Sequence, residues 1–203
     1  MKKDKFRIET DSMGDLKVPM DAKWGAQTQR ALDNFCISDL TMPSEFISAL
    51  GLIKWSAALT NEQLGLISKK KSKSIQKAAQ NLIDGDVNEE FLVDVFQTGS
   101  GTSSNMNANE VIASIASSLT DEKIHPNDDV NMSQSSNDVI PTAISVAAMI
   151  RLKESLLPAL NKIISSLGHK SDSLKDVVKT GRTHLMDAMP ITMAQEADGW
   201  KHQ

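Results

Sequence analysis

Three polar segments of the sequence hold the side chains best suited to chemistry. They run over residues 100–107, 125–137 and 180–187, and each is rich in Ser, Thr, Asn or His. We expect each segment at the end of a helix, where unpaired backbone N–H groups favour anions. Hydroxyls, amides and such N–H groups suit the binding of a small carboxylate. Taken singly, each segment is also explained by polar residues that cap helices and fill turns.

Two of the four histidines fall in these segments. His125 and His184 lie in polar loops, whereas His169 and His202 fall on predicted helices, where a surface position is expected. A loop histidine without any role stays an open alternative for both His125 and His184. The residues alone therefore indicate a helical protein with anion-friendly loops, and no particular reaction.

Motifs for metals, nucleotides and hydrolytic nucleophiles are absent from the sequence. Residues 129–133 begin like a calcium-binding loop, but Gln134 stands at the required glycine and Ile140 at the bidentate glutamate. No His-Glu-x-x-His motif or Cys/His pair indicates zinc. Residues 99–101 lack the Gly-Lys-Ser/Thr of a P-loop, and no Gly-x-Ser-x-Gly elbow occurs. We therefore expect neither a metal nor a cofactor.

Composition and charge narrow the class of protein. The chain has 203 residues, of which 40% are apolar, so it can bury a core. Its net charge of -4 argues against nucleic-acid binding, and the short basic cluster at 69–73 is interpreted as a solvated face.

Cysteine usage and hydropathy indicate the compartment. The single cysteine, Cys36, excludes an internal disulfide and fits a reducing environment. No apolar run approaches the roughly 20 residues that a membrane span needs. Residues 1–6 lack the apolar stretch of a signal peptide. The sequence therefore predicts a soluble, cytoplasmic protein that binds neither nucleic acid nor membrane.

Hydrophobic periodicity predicts the elements that position the first two polar segments. Short strands are expected at residues 7–9 and 17–19, which can pair. Apolar spacing then predicts helices that start at Ser44 as N-cap, cover 72–83, run from Asn88 through 95, and cover 105–119.

A much longer helix is predicted after the second polar segment. Its apolar period runs over residues 138–172, roughly 34 residues or about 50 Å, with a kink at Pro158. Such a length requires a helical bundle or a partner subunit. Gly181 then breaks the chain, and residues 192–195 have the form of a capping box that begins the helix in which the chain ends.

The predicted fold class is therefore mainly α, in two parts. We expect a small, mostly helical N-terminal domain over residues 1–132. Residues 133–203 are expected to begin a central helical-bundle domain that is truncated.

Five blocks of the sequence form an ordered pattern that covers nearly the whole chain. They are WGAQTQR at 24–30, GSGTSSNMNANE at 99–110, HPNDDVN at 125–131 with QSSND at 134–138, GRTHL at 181–185, and QE at 195–196. Together they resemble the class II fumarases of the fumarase/aspartase superfamily. The resemblance implies the family's fold, a small N-terminal domain followed by a bundle of long helices.

The resemblance also implies a role for each polar segment. The first two segments bind the carboxylates of a dicarboxylate substrate, while Thr183 contacts the substrate and His184 is the catalytic residue that moves protons with a bound water. The implied carboxylate-binding residues are Ser100, Gly101 and Thr102 at one end, and Ser135, Ser136 and Asn137 at the other. A second, non-catalytic anion site is implied at His125, Pro126, Asn127 and Asp128. Family members often have an arginine three positions before that histidine, where this chain has Glu122.

The implied activity is that of fumarate hydratase, a hydro-lyase of the tricarboxylic acid cycle that interconverts fumarate and (S)-malate without a metal or cofactor. In the family, the catalytic base is a serine on a glycine-serine loop that this sequence lacks. Each active site of the family also combines loops from three subunits of a homotetramer. We therefore expect this chain to be an N-terminal fragment that is inactive alone.

Two alternatives stay open. An enzyme like aspartate ammonia-lyase typically carries Gln at position 184, Asn at 125 and Ser-Thr-Asn at 135–137, whereas this chain has His184, His125 and Ser-Ser-Asn. The other alternative is a non-catalytic helical assembly fragment.

Overall fold

Helices make up most of the computed structural model, which describes residues 5–203. The prediction that residues 1–6 lack a signal peptide falls mostly on residues 1–4, which lie outside the described residues. The elements, in chain order, are β1 (Phe6–Asp11), β2 (Gly14–Pro19), α1 (Ala26–Asn34), α2 (Ser44–Gln63), α3 (Lys69–Asp84), α4 (Thr102–Ser118), α5 (Ser136–Arg151), α6 (Leu157–Ser173), β3 (Val178–Thr183), β4 (Met186–Thr192) and α7 (Met193–His202). The predicted mainly α class is confirmed.

The chain divides into two compact units, Met1–Ala148 and Met149–Gln203. In the first unit, β1 and β2 form the predicted antiparallel pair, with Arg7 opposite Val18 and Ile8 opposite Lys17. The domain boundary predicted near position 132 stays a prediction.

The core of the first unit lies between α2, α3 and α4. Their periodic apolar residues turn inward, as amphipathic helices require. Its fully buried members include Leu50, Ile75, Leu82, Val111 and Ile112. Because these helices are fixed against one another, the loops at their ends have defined positions.

Glu110 joins two of the sequence blocks that carry the family resemblance. Its carboxylate, on α4, accepts hydrogen bonds from the backbone N–H groups of Gly25, Gln27 and Thr28 at 2.9–3.0 Å. These N–H groups open helix α1, where a negative charge is favoured. The block at 24–30 is therefore held against the block at 99–110, so some of the residues that carry the resemblance stabilise the fold.

The predicted starts of three helices differ in the structure. Helices α3 and α4 begin at Lys69 and Thr102, three residues before the predicted positions 72 and 105. Pro43, and not Ser44, is the N-cap of α2, and its carbonyl accepts from the N–H groups of Phe46 and Ile47 at 3.0 and 3.2 Å. Proline serves here because no N–H group of its own is needed. Ser44 is the first helical residue.

The helix predicted from Asn88 through position 95 is wrong in extent, because only the 3-10 turn Asn88–Glu90 forms. The side chain of Asn107 donates to the carbonyl of Glu90 at 3.1 Å, which occupies the acceptor that would continue the helix. Asp94 accepts instead from the N–H groups of Ser38 and Phe96. These tertiary hydrogen bonds outweigh the local helical preference.

Three successive helical segments cover the predicted long helix. They are α5, the π-helical turn Leu152–Leu156, and α6. Pro158 has no N–H group to donate to the carbonyl four residues earlier, and the π turn ends two residues before it. The kink predicted at Pro158 stays a prediction, and a second proline, Pro141, lies inside α5.

In the second unit, α7 packs against α6 and follows the β3–β4 hairpin. The predicted capping box is confirmed, because Thr192 Oγ1 accepts from the Gln195 N–H at 3.1 Å and Gln195 Oε1 accepts from the Thr192 N–H at 2.9 Å. The buried Ser171 hydroxyl donates to the Ala194 carbonyl at 3.2 Å. Within residues 5–203, no helix has the length and apolar character needed to cross a membrane.

Candidate active site

The first polar segment places two hydroxyls at the start of α4. The N-cap is Gly101, with φ of 69°, a left-handed conformation that glycine adopts without strain. Ser100 Oγ and Thr102 Oγ1 lie 2.8 Å apart on either side of it. Gly101 itself has no side chain with which to cap this helix start. The backbone donors of α4 and the two hydroxyls therefore form a small anion-friendly surface.

Gln97 supports this helix start from behind, a role that the sequence did not indicate. It is buried, its amide oxygen accepts from the Ser104 N–H at 2.8 Å, and its amide nitrogen donates to Ser104 Oγ at 2.7 Å. A Cβ on Gly101 would lie 3.1 Å from the side chain of Ile140 on α5. Ser100 and Thr102 thus stand on a rigid loop close to the second polar segment.

The second polar segment meets α4 through Asn105. The Asn105 side chain donates to Ser136 Oγ at 2.8 Å and to Asn131 Oδ1 at 3.2 Å. Its own amide oxygen is buried and has no hydrogen-bond partner among residues 5–203. The structure therefore brings Ser136 and the first turn of α4 onto one polar cluster.

Ser135 and Asn137 open helix α5 beside this cluster. The Ser135 carbonyl accepts from the N–H groups of Asp138 and Val139 at 3.0 and 2.9 Å. Ser135 Oγ accepts from the Asn137 N–H at 3.2 Å. Both side chains are exposed, whereas Ser136 is half-buried, so this loop offers two accessible polar groups around one that is anchored.

A buried lysine lies beneath the second polar segment. Lys54, on α2, is 0% exposed, and its amine donates to Asn131 Oδ1 and Gln134 Oε1, both at 2.9 Å. Burial lowers the pKa of Lys54 to about 7. Lys54 was not predicted as a site residue from the sequence, although its position four residues after Leu50 and four before Ala58 places it on the apolar face of the helix.

The residues of the implied second anion site lie at a π-helical turn, Pro126–Val130. The His125 ring nitrogen Nδ1 accepts from the Asp128 N–H at 3.1 Å and thereby caps this turn. His125, Pro126 and Asn127 line a cleft of about 1230 Å³ together with basic side chains from other elements. Those basic residues are Arg7, Lys23, Arg30 and Lys123, and the cleft is also lined by the acidic residues Glu9, Asp11, Asp21 and Glu110. Arg7 pairs with Glu9 at 2.7 Å and Arg30 with Asp11 at 2.8 Å.

The third polar segment is a β-hairpin and not a helix end, so that prediction was wrong. Thr183 ends β3, and His184 and Leu185 form the turn with φ values of 48° and 60°. The twist of two strands favours such left-handed turn residues. The sequence signal was weak because His-Leu is not the usual Asn-Gly turn. The helix-end argument for anion binding therefore does not apply to His184.

His184 is exposed, and its ring makes no hydrogen bond within residues 5–203. Gly181 lies at an irregularity of the β3–β4 ladder, where a Cβ would stand 2.7 Å from the Met189 carbonyl oxygen. Gly181 therefore lies within a strand pair, where a break in the chain was predicted. Thr183 and His184 belong to the second unit, and the roles of all the site residues stay predictions.

The described residues contain no group of three or more His, Cys, Asp or Glu side chains arranged to hold a metal ion. What the first unit offers is a set of neutral donors: hydroxyls, amides and the start of a helix. Such groups stabilise negative charge by fixed hydrogen bonds. The arrangement suits a reaction in which a carboxylate gains charge.

Comparison with known proteins gives a consistent result. A family model described as lyase matches residues 14–203. The chain is 57% identical over 200 residues to a class II fumarate hydratase of Xylella fastidiosa (strain 9a5c), covering 98% of this chain and 42% of that protein. It is 51% identical over 203 residues to a class II fumarate hydratase of Halobacterium salinarum, covering 98% and 43%.

A solved structure agrees with these sequence relatives. The class II fumarase from Schistosoma mansoni superposes with a TM-score of 0.93 at 42% identity, over 98% of this chain and 43% of that one. The chain thus spans less than half the length of the proteins it matches.

Proposed function

The chain belongs to the lyase family, and from that premise we propose that the full-length protein is a class II fumarate hydratase. It adds water to fumarate to give (S)-malate, reversibly, as a step of the tricarboxylic acid cycle. Support comes from relatives at 51% and 57% identity that bear this name. The structural observation that carries the proposal is the polar cluster in which Asn105 joins the start of α4 to Ser136.

The substrate is a rigid dicarboxylate, and the two halves of this cluster suit its two ends. Ser100, Gly101 and Thr102 bind one carboxylate with hydroxyls and the N–H groups of α4. Ser135, Ser136 and Asn137 hold the other. The 2.8 Å approach of the two hydroxyls at 100 and 102 supports a shared carboxylate there. The backbone N–H groups and the partial positive charge of a helix start favour a small anion.

The chemical difficulty lies in the carbanion. Removal of a proton next to a carboxylate of malate produces a doubly charged aci-carboxylate, and the hydroxide then leaves with a proton. Fixed hydrogen-bond donors lower the energy of the aci-carboxylate, and an acid protonates the hydroxide as it leaves. Thr183 contacts the substrate, and His184 relays the proton through a bound water.

His125, Pro126, Asn127 and Asp128 form the second, non-catalytic anion site of this proposal. Lys123 lines the same cleft as the first three, which supports anion binding at that end of the cleft. Lys123 then supplies the positive charge that Glu122 does not. The proposed enzyme is a homotetramer located in the cytoplasm.

Assays on the purified full-length protein test the activity. Loss of fumarate absorbance with stoichiometric appearance of malate, in buffer free of ammonia, is the expected result. Aspartate formation from fumarate and ammonia, without hydration, would replace the proposal with an ammonia-lyase. Absence of both reactions in a folded protein would leave a non-catalytic helical assembly.

A further inference from the structure

Lys54 is an ionisable residue at a buried position where an apolar side chain is expected. It lies on the buried face of α2, and its side chain is completely enclosed. Removing an amine from water is unfavourable unless polar partners replace the water. Its partners are two amide oxygens, Asn131 Oδ1 and Gln134 Oε1, both at 2.9 Å. The amine therefore serves the segment that contains these two residues.

That segment is closed by its own hydrogen bonds around the amine. The Gln134 amide nitrogen donates to the carbonyls of Val130 and Met132 at 3.0 and 3.1 Å. The Asn131 amide nitrogen donates to the Gln134 carbonyl at 3.2 Å. Each of the two side chains thus binds Lys54 with its oxygen and the backbone with its nitrogen.

The backbone inside this closed set is strained. Ser133, between the two lysine partners, has φ of 62°, which is unfavourable for a residue with a Cβ. Such a conformation persists when the surroundings over-determine it, and it occurs often at functional sites. The hydrogen bonds from Lys54 to Asn131 and Gln134, which lie on either side of Ser133, hold the backbone in this conformation.

A continuous path leads from the amine to the candidate site. Asn131 Oδ1 accepts from Lys54 and also from Asn105, whose amide donates in turn to Ser136 Oγ. Gln134 directly precedes Ser135. Displacement of either amide would therefore move the hydroxyls that follow.

We propose that Lys54 is a positioning residue, which fixes Asn131 and Gln134 and so sets the geometry of Ser135, Ser136 and Asn137 for substrate. This inference rests on the proposed function for its kinetic consequence. The lowered pKa of Lys54 is compatible with it, because a neutral amine still donates two hydrogen bonds and needs no buried counterion.

The kinetic test compares Lys54→Met with a matched control in the full-length protein. Methionine keeps the length and apolar stem but removes the donors. Ser72→Ala is the control, because the buried Ser72 hydroxyl donates to the Ala58 carbonyl at 3.1 Å and accepts from the Gln76 side chain at 2.8 Å, and neither partner belongs to the polar segment. We expect the KM for fumarate to rise about tenfold or more in Lys54→Met, the size of effect of a misplaced binding group.

The two possible roles of Lys54 predict different kinetic constants. A purely structural role lowers the active fraction, and so the apparent kcat, without changing the KM. An unchanged KM in Lys54→Met would therefore overturn the inference. In Ser72→Ala the KM should stay within about twofold of the wild type, as for a substitution remote from the site.

Gln134→Leu provides a second variant that keeps the lysine. It should raise the KM in the same direction, and the double variant with Lys54→Met should be no worse than the stronger single variant, because both changes break one network. Additive effects would contradict the shared path. This variant also decides the question if Lys54→Met fails to fold.

Hydrogen exchange separates this inference from the proposed activity. In Lys54→Met, peptides covering residues 131–137 should exchange about tenfold faster or more, while those of α3 stay unchanged. Unchanged exchange at 131–137 would overturn the positioning role whatever the protein catalyses. Inactivity of the wild-type protein towards fumarate would instead refute the proposed function alone.

Discussion

The segment before α5 and the turn of the β3–β4 hairpin both carry candidate site residues, yet they are held in opposite ways. Side chains from α2 and α4 bind the first: Lys54, Asn105, and also Asn61, which donates to the Met132 carbonyl at 3.1 Å. The hairpin turn depends on its strand ladder, and Leu185 beside His184 is 93% exposed. The candidate carboxylate-binding groups are thus fixed by a core, whereas the candidate proton-transfer group is fixed by local backbone geometry.

The largest expected effect tests the chemistry assigned to the hairpin. In the full-length protein, His184→Asn should lower kcat by about 10²-fold or more, the size of a lost acid-base group. Folding should be preserved, because asparagine tolerates the positive φ of this turn. Steady-state kinetics with thermal unfolding measure both. His169→Asn, at an exposed position on α6, is the control, and equal activity of the two variants would remove His184 from the mechanism.

A second prediction tests how fully the Lys54 amine, which binds the segment before α5, is buried. The pKa of Lys54 is about 7 in the folded state and about 10.5 in the unfolded state. Between these values the unfolded chain binds more protons, so the folded state gains stability as the pH rises. From pH 7 to 9 the stability of the wild type relative to Lys54→Met should increase by about 2 kcal/mol.

Denaturant unfolding of the two full-length proteins, followed by tryptophan fluorescence at several pH values, checks this difference. Comparison with the variant removes the titration of all other groups. A difference that does not depend on pH would show that the lysine amine is solvated and that the segment is less firmly held than its hydrogen bonds indicate.

A third, smaller pair of effects compares Gly181 of the hairpin with Gly101, which precedes α4 and lies against Ile140 of α5. Gly101→Ala forces a Cβ into a left-handed conformation, which should lower the free energy of unfolding by about 1 kcal/mol. Gly181→Ala places a Cβ against the Met189 carbonyl, and the exposed hairpin can shift to relieve the contact. We expect Gly181→Ala to lower turnover with a change in unfolding free energy below about 0.5 kcal/mol. A larger loss of unfolding free energy in Gly181→Ala than in Gly101→Ala would mean that the hairpin is held more firmly than the start of α4.

The smallest effect is expected at His125, outside the cluster around Asn105. In His125→Asn the new amide can still cap the π turn, since asparagine is among the best N-caps. Turnover of fumarate should stay within about twofold of the wild type, as for a surface substitution. A loss as large as that expected for His184→Asn would mean that the catalytic and second anion sites had been exchanged.

Features that depend on near neighbours in the chain could be predicted from the sequence. The β1–β2 pair, the presence of helices α3 and α4, and the capping box at Thr192 all follow from alternation, apolar spacing and a four-residue motif. The family resemblance and the kinds of side chain at the candidate site could likewise be predicted from the sequence. Short-range hydrogen bonds and hydrophobic periods are encoded within a few positions, which explains why these predictions succeeded.

The tertiary structure decided the features that depend on partners distant in sequence. The helix expected from Asn88 stops after one turn because Asn107 takes the Glu90 carbonyl, and the third polar segment forms a hairpin whose turn has no usual signature. Lys54, Gln97 and Asn105 support the site through bonds that join different elements. Such bonds form only once the apolar faces of α2, α3 and α4 have packed, because burial then makes an unpaired polar group costly and selects its partner.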